Sequence, residues 1–191
     1  YNGVIGMGQI DNAGKQSYHY AQGNRYYKRH LVPIGEFVPF GELLRPIAPF
    51  FNLPMSSFSR GTDEQENILV QGHRFATAIC YEMAFSDELR QNVHADTDYL
   101  LTVSNDTWFG TSHGPWQHMD ITRMRAVEFA KPVIRATNSG VTLAIDAKGQ
   151  PIKMLPQFQQ QVLRVDVAPT RGKTPYNRFG SWPLIGWVVL A

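Results

Sequence analysis

The sequence predicts a single α/β domain in which strands and helices stack in layers. Residues 99–103 (YLLTV) form a near-continuous apolar run, which is typical of a strand buried on both faces of a sheet. Residues 72–80 (GHRFATAIC) predict a second strand, followed by a turn and a short helix over 87–93. Because strand, turn and helix then repeat, the α/β class is favoured over an all-α or all-β domain.

The longest predicted helix covers residues 115–130. Pro115 lies in its first turn, where a missing N–H is tolerated, and Pro132 ends it. A helical period places one set of mostly apolar residues on a common face: Trp116, Met119, Met124, Ala126, Val127 and Ala130. Arg123 falls on that face and is expected to pair with Asp120, one turn earlier.

Further strands are predicted towards both ends of the chain. Residues 1–8 and 16–21 predict a hairpin with its turn at 11–14. Three more strands are predicted at 132–137 (PVIRAT), 141–146 (VTLAID) and 160–167 (QQVLRVDV), the last because apolar and polar residues alternate.

Composition narrows the class of function. The 18 basic and 16 acidic residues are scattered over 191 residues, so no basic surface for nucleic acid is expected. A small substrate, a lipid or a protein partner is favoured instead. One cysteine excludes an internal disulfide, and the absence of metal-ligand and GxGxxG-type spacings predicts neither a metal nor another cofactor.

Two apolar segments stand outside this pattern. Residues 31–61 combine many large apolar side chains with Pro33, Pro39, Pro46, Pro49 and Pro54. They either wrap the core as a proline-stiffened segment or form an apolar arm that meets lipid or a partner. Residues 182–191 (WPLIGWVVLA) are either the start of a membrane-spanning helix or a C-terminal core element.

Cys80 is the candidate nucleophile. It ends an apolar strand just before a sharp turn, the place where α/β enzymes display a reactive side chain. The alternative is a buried cysteine that acts as a small hydrophobe. A free thiol, with a pKa of about 8.5, needs a nearby cation or base to become a thiolate. Lys28 is a candidate cation, and a thiol-protease-like pair of Cys80 with His118 is a further alternative.

Three sequence blocks carry a family resemblance. They are YYKRHLVPIGEFVPFGE around Lys28, ICYEMAF around Cys80, and SNDTWFGTSHGPWQH from Ser104. In this order they resemble the signature blocks of the nitrilase superfamily, and more narrowly its membrane branch, the apolipoprotein N-acyltransferases. The similarity continues through RMRAVEFAKPVIRATNSGVTLAID and TPYNRFGSWP, so it covers nearly the whole chain.

The resemblance implies a nitrilase-like four-layer αββα sandwich, present here in part, and a Glu-Lys-Cys triad. Lys28 and Cys80 match two members of the triad. The general-base Glu of the family lies upstream of the Lys block, where this chain has only Asp11. The base and the first strands, together with membrane helices, are therefore expected outside these residues. Glu36 matches a second active-site acid of the family.

Other residues are assigned supporting roles. Glu82 is expected to fix the turn by accepting hydrogen bonds, and the Tyr81 N–H to form an oxyanion site with Lys28. Asn105, Asp106, Trp108 and Phe109 follow a central strand, where they either contact a ligand or structure the loop. Asn105, Trp108 and Phe109 are the tentative substrate-binding residues.

The function implied by the resemblance is acyl transfer. A fatty acyl group would pass from a phospholipid, through a Cys80 thioester, to the α-amine of an N-terminal diacylglyceryl-cysteine on an apolipoprotein. Residues 1–181 would then be the C-terminal part of the catalytic domain, with 31–61 as arm or lid and 182–191 as the start of a transmembrane helix. The implied location is the bacterial inner membrane, with the catalytic domain periplasmic and the protein monomeric.

Two other hypotheses remain open. A soluble nitrilase-like amidase would use the same residues on a small amide, with water as the second nucleophile. A non-catalytic domain that binds lipid or lipoprotein would need none of this chemistry.

Overall fold

The computed structural model describes residues 1–12, 15–33, 35–37 and 58–190, with side chains of residues 8–22 left out. In these ranges the strands are β1 (Gly3–Asn12), β2 (Lys15–Tyr27), β3 (Ile68–Val70), β4 (His73–Ile79), β5 (Tyr99–Ser104), β6 (Val133–Thr137), β7 (Leu143–Ile145) and β8 (Pro151–Met154). The helices are α1 (Ser86–Asn92), α2 (Gly114–Phe129), α3 (Pro175–Phe179) and α4 (Trp182–Leu190). Short 3-10 turns cover Cys80–Ala84 and Thr107–Phe109.

Six strands form one mixed sheet in the order β3-β4-β5-β6-β7-β8. The three central strands β4, β5 and β6 are parallel, and β3, β7 and β8 add to them antiparallel at the two sides. Helix α1 links β4 to β5, and α2 links β5 to β6. The carboxyl ends of the three parallel strands therefore meet along one edge of the sheet, the edge where α/β proteins place ligand sites.

The sheet has a hydrophobic cluster on each face. Alternation along β4 shows the division, because Ala76 and Ala78 point to one face while Phe75 and Ile79 point to the other. The first face packs against the two crossover helices through Leu89, Met119 and other residues: Met83, Val93, Leu100, Ala126, Phe129, Val133, Val141, Leu143 and Ile145. The opposite face packs against the β1–β2 hairpin through Tyr26 and Val4.

The hairpin stands where the sequence predicts it. β1 pairs antiparallel with β2, with a bulge between Ile5 and Met7. Asn24 joins the hairpin to the main sheet, since its side chain donates to Leu69 O at 2.9 Å and accepts from Leu69 N at 2.7 Å. The predicted turn at 11–14 lies partly outside the described residues.

The predicted α/β class and most predicted elements are confirmed, but the strand over 160–167 is not. Exposure does alternate there, with Leu163 and Val165 half-buried between exposed neighbours. A strand also needs a partner for its backbone groups, and here side chains take that place. Lys153 Nζ donates to Arg164 O at 3.1 Å, and the Tyr99 hydroxyl donates to Val167 O at 2.8 Å.

The apolar face predicted for helix α2 is confirmed only at Met119 and Ala126, which are buried. Trp116, Met124, Val127 and Ala130 are exposed, and the buried face is completed by Pro115, His118, Thr122 and Phe129. Polar His118 and Thr122 are buried because both have hydrogen-bond partners at the sheet. His118 contacts Asp106 and the Cys80 carbonyl, and Thr122 accepts from Arg135. The predicted pair of Arg123 with Asp120 is present, at 3.0 Å.

The two apolar segments are described only in part. Most of residues 31–61 lies outside the described residues, so its role as an arm or a lid stays a prediction. At the C-terminus, α4 is an apolar helix whose side chains are all exposed. In the described ranges no helix has both the length and the apolar character needed to cross a membrane.

Candidate active site

A cavity of about 610 Å³ opens at the carboxyl edge of the parallel strands. Residues that follow each of β4, β5 and β6 line it, as do residues from the loop after β2. The lining residues are Asn2, Lys28, Val32, Gly35, Glu36, Phe58, Ile79, Cys80, Val103, Ser104, Asn105, Trp108, Ala136, Thr137 and Asn138. Cys80 thus shares one cavity with Lys28 and Glu36, although these residues precede it by 52 and 44 positions in the sequence.

Cys80 occupies a special backbone conformation. It follows β4 directly and has φ of 56°, in the left-handed region that residues with a side chain seldom adopt. Such a turn lifts the side chain out of the sheet at its edge, as in the nucleophile elbow of other α/β enzymes. Cys80 is half-buried, so its thiol is neither sealed in the core nor fully in solvent.

Lys28 and Glu36 form a buried ion pair in the cavity wall. Their charged atoms are 2.7 Å apart, and the Lys28 side chain is only 1% exposed. Glu36 also accepts from Asn2 Nδ2 and from Val32 N, each at 2.9 Å. Burial by itself would raise the pKa of Glu36, but Lys28 and these two donors outweigh it and hold the pKa below its ordinary value. Glu36 is therefore a carboxylate that orients the Lys28 ammonium.

Glu82 ties the Cys80 turn to the Lys28 loop. Its carboxylate accepts from Ile79 N at 2.6 Å, on the strand side, and from Arg29 N at 2.7 Å and His30 N at 3.0 Å, on the loop side. The Tyr26 hydroxyl adds a bond at 3.0 Å. Burial raises the pKa of Glu82 above its ordinary value, against the opposing effect of these donors. The hydrogen bonds predicted for Glu82 are present, and they join the two halves of the site.

His118 contacts the backbone of Cys80. Its Nε2 is 3.0 Å from the Cys80 carbonyl oxygen, and its Nδ1 is 3.2 Å from Asp106 Oδ1. Arg135 completes the group with an ion pair to Asp106 Oδ2 at 2.7 Å. Because both ring nitrogens are engaged in these contacts, the thiol-protease-like pair of His118 with the Cys80 thiol is wrong.

The buried Asp106–Arg135 pair was not anticipated as part of the site. Asp106 lies in the predicted ligand-binding block but is buried, and Ser104 Oγ donates to it at 2.5 Å. Burial alone would raise the pKa of Asp106; the His118 and Ser104 hydrogen bonds and the Arg135 charge bring it below its ordinary value. An arginine inside the strand PVIRAT was the available sequence signal, because a buried guanidinium requires an acidic partner.

The other predicted site residues are Asn105, Trp108, Phe109 and Tyr81. Asn105 lines the cavity, and its side-chain oxygen accepts from Asn138 Nδ2 at 2.6 Å. Trp108 lines the same cavity at its mouth and is 82% exposed. Phe109 lies apart from the cavity lining and packs edge-on against the His118 ring. Tyr81 is the second residue of a 3-10 turn, where an N–H has no partner within the turn.

The profile of the carbon-nitrogen hydrolase family matches residues 1–176. The chain belongs to the carbon-nitrogen hydrolase family. Two bacterial proteins resemble it closely. It is 54% identical to the apolipoprotein N-acyltransferase of Vibrio vulnificus over 191 residues, and 57% identical to that of Photobacterium profundum over 184 residues. These alignments cover 100% and 96% of the chain but only 37% and 35% of the two relatives, so it spans little more than a third of their length.

A solved structure agrees with the nitrilase-like fold. Saccharomyces cerevisiae Nit3, a member of branch 10 of the nitrilase superfamily, superposes with a TM-score of 0.53 at 16% identity. The match covers 74% of this chain and 47% of Nit3. The chain therefore has the α/β fold of nitrilases, in part, as the sequence resemblance implied.

Proposed function

We propose that this carbon-nitrogen hydrolase chain is the nucleophile-bearing part of an apolipoprotein N-acyltransferase. The observation that carries the proposal is the single cavity in which Cys80, held in a left-handed turn, faces the same space as the buried Lys28–Glu36 pair. The identity of more than half of the residues to proteins of that name supports the choice of reaction.

In the first step the Cys80 thiolate attacks the ester carbonyl of a phospholipid. A C–S bond forms, and the negative charge on the carbonyl oxygen is held by the Lys28 ammonium and the Tyr81 N–H. The C–O bond then breaks, and the lysophospholipid leaves as its alkoxide takes up the proton that a general base removed from the Cys80 thiol. Cys80 is left as a thioester. Glu36 keeps the Lys28 ammonium aimed at the cavity during these changes.

In the second step the α-amine of the diacylglyceryl-cysteine attacks the thioester. A C–N bond forms, the C–S bond breaks, and the thiolate is restored as a base removes the amine proton. Among the described lining residues Glu36 is the one acid, and it is committed to Lys28, Asn2 and Val32. We therefore assign proton transfer to a Glu supplied by the remainder of the protein.

The proposal also covers the acyl donor, the acyl acceptor and the location of the whole protein. The whole protein would act at the inner membrane of a bacterium, with its catalytic domain on the periplasmic side, as a monomer. Apolar residues of the cavity, such as Val32, Phe58 and Val103, suit the first carbons of an acyl chain. Asn105 and Trp108, at the mouth, are the residues proposed to contact the donor.

The test is to trap the acyl-enzyme. The whole protein in detergent micelles is incubated with phospholipid carrying a labelled acyl chain, and bound label is measured before and after hydroxylamine. A hydroxylamine-labile adduct that Cys80→Ser lacks is expected. Hydrolysis of small amides with no adduct from lipid would favour the amidase, and binding of lipid with neither reaction would favour a non-catalytic domain.

A further inference from the structure

The turn at Cys80 needs external support. A left-handed conformation costs a residue with a side chain about 1–2 kcal/mol, so it persists only where neighbours hold it. The structure shows a hydrogen bond on each side. Before the turn, Ile79 N donates to Glu82 at 2.6 Å, and after it the Cys80 carbonyl faces His118 Nε2 at 3.0 Å. The second bond takes no part in either step of the proposed acyl transfer.

The direction of this bond is set by chemistry. A carbonyl oxygen only accepts, so His118 Nε2 must carry the hydrogen and donate it. On the other side of the ring, Nδ1 lies 3.2 Å from both Asp106 Oδ1 and Arg135 Nη2, so an acceptor and a donor are both within reach. His118 is 7% exposed, and turning its ring would break contacts at both nitrogens.

Arg135, on strand β6, holds the Asp106 carboxylate that contacts His118. Arg135 is fully buried, and it donates to Val141 O at 3.1 Å and to Thr122 Oγ1 at 3.3 Å, besides its ion pair with Asp106. These bonds connect strand β6, the loop after β5 and helix α2. The imidazole is thus fixed from three elements that the Cys80 turn itself does not belong to.

The Cys80 carbonyl and the Tyr81 N–H belong to one peptide unit. In a trans peptide the C=O and the N–H point in opposite directions, so fixing one direction fixes the other. His118 approaches the carbonyl from the side of helix α2. The Tyr81 N–H must then point away from that helix.

We propose that His118 is a positioning residue that aims the Tyr81 N–H at the oxyanion by holding the Cys80 carbonyl. This role rests on the proposed function only in taking Cys80 as a nucleophile towards an acyl carbonyl. It assigns a task to the His118–Asp106–Arg135 group that neither Lys28 nor Glu82 performs. The effect falls on the transition state, because the N–H is needed when the oxygen becomes charged.

The test compares three substitutions in the whole protein. His118→Leu removes the donor. His118→Gln keeps an N–H near the Nε2 position, while His118→Asn keeps a polar group near Nδ1 but falls short of the carbonyl. His113→Leu, at an exposed histidine next to the start of the same helix, is the matched control. Acyl-enzyme formation is followed with phospholipid and with p-nitrophenyl butyrate, and Cys80 alkylation by iodoacetamide is followed by mass spectrometry.

His118→Leu is expected to lower kcat about 100-fold, the usual loss for one oxyanion donor, with KM changed less than about twofold. His118→Gln should recover to within about tenfold of wild type, and His118→Asn should not. Alkylation has no oxyanion, so its rate in His118→Leu should stay within about fivefold of wild type. A general collapse of the turn would lower both reactions alike.

Several results would overturn the proposal. They are unchanged kcat in His118→Leu, equal losses in acylation and alkylation, or equal kcat in the Gln and Asn variants. If His118→Leu does not fold, as judged by its thermal midpoint, the Gln and Asn comparison decides. Wild-type acylation by the p-nitrophenyl ester but not by phospholipid would refute the lipid donor and leave the His118 comparison intact. Wild-type inactivity towards both would refute both proposals.

Discussion

Gly140→Ala should damage the candidate site without touching Cys80, Lys28 or Glu36. Gly140 lies in the loop between β6 and β7, directly over the Asp106 carboxylate. A Cβ at this position would stand 2.0 Å from Asp106 Oδ2 and 2.7 Å from its Cγ. Real Cβ atoms essentially never come closer than 3.0 Å, so the carboxylate would have to move by about 1 Å.

The carboxylate has no free direction in which to move. Oδ2 is bonded to Arg135 at 2.7 Å, and Oδ1 to Ser104 at 2.5 Å. A shift of that size lengthens at least one of these two hydrogen bonds beyond the distance at which it is effective. The free energy of unfolding should fall by about 2–4 kcal/mol, between the effect of overpacking a core and that of breaking a buried ion pair. For a domain of this size, this corresponds to a fall in the thermal midpoint of about 5–15 °C.

The assay is the thermal midpoint of the whole protein in detergent, followed by tryptophan fluorescence. Gly186→Ala is the control, since a Cβ there meets no atom within 4 Å. Acyl-enzyme formation should fall together with stability in Gly140→Ala, because His118 loses the Asp106 contact. A midpoint within about 2 °C of wild type, with unchanged acylation, would show that Asp106 is not held as the geometry requires.

Three further outcomes are expected from the same measurement. The pKa of Glu36 is lowered on folding, so its stabilising effect is present above the ordinary carboxyl range and is lost as pH falls through the lower value. The difference in midpoint between wild type and Glu36→Gln should therefore narrow as the pH falls below the ordinary carboxyl pKa of about 4.5, and a constant difference would contradict this. Lys28→Met should be less stable than the Lys28→Met, Glu36→Gln double variant, because the single change leaves a largely buried carboxylate unpaired; the reverse order would refute that pairing. Thr174→Ala should lower the midpoint by about 2–8 °C. The Thr174 hydroxyl caps α3 by accepting from Asn177 N, and it also donates to Glu128 O. An unchanged midpoint would show that this cap is not stabilising.

Local patterns predicted most of the fold. The buried run at β5, the strand that ends at Cys80 and the proline-bounded helix α2 each follow from short-range periodicity and turn chemistry. The strand expected over 160–167 failed because alternation specifies which side chains face inwards but not whether a neighbouring strand offers hydrogen bonds. The buried face of α2 is predicted only in part for a related reason. His118 and Thr122 are polar, and only their partners in the sheet edge make their burial favourable.

The candidate site, like the fold, can be predicted from the sequence only in part. Sequence alone determined which residues are candidates: Cys80 at a strand end, Lys28 in a recognisable block, and Glu82 two residues beyond Cys80. Only the tertiary structure decided that Glu36 pairs with Lys28, that Glu82 bridges the two halves, and that His118 holds the Cys80 carbonyl. Hydrogen bonds and ion pairs act over a few ångströms in space. The residues that form these contacts are up to 53 positions apart along the chain, where no local pattern connects them.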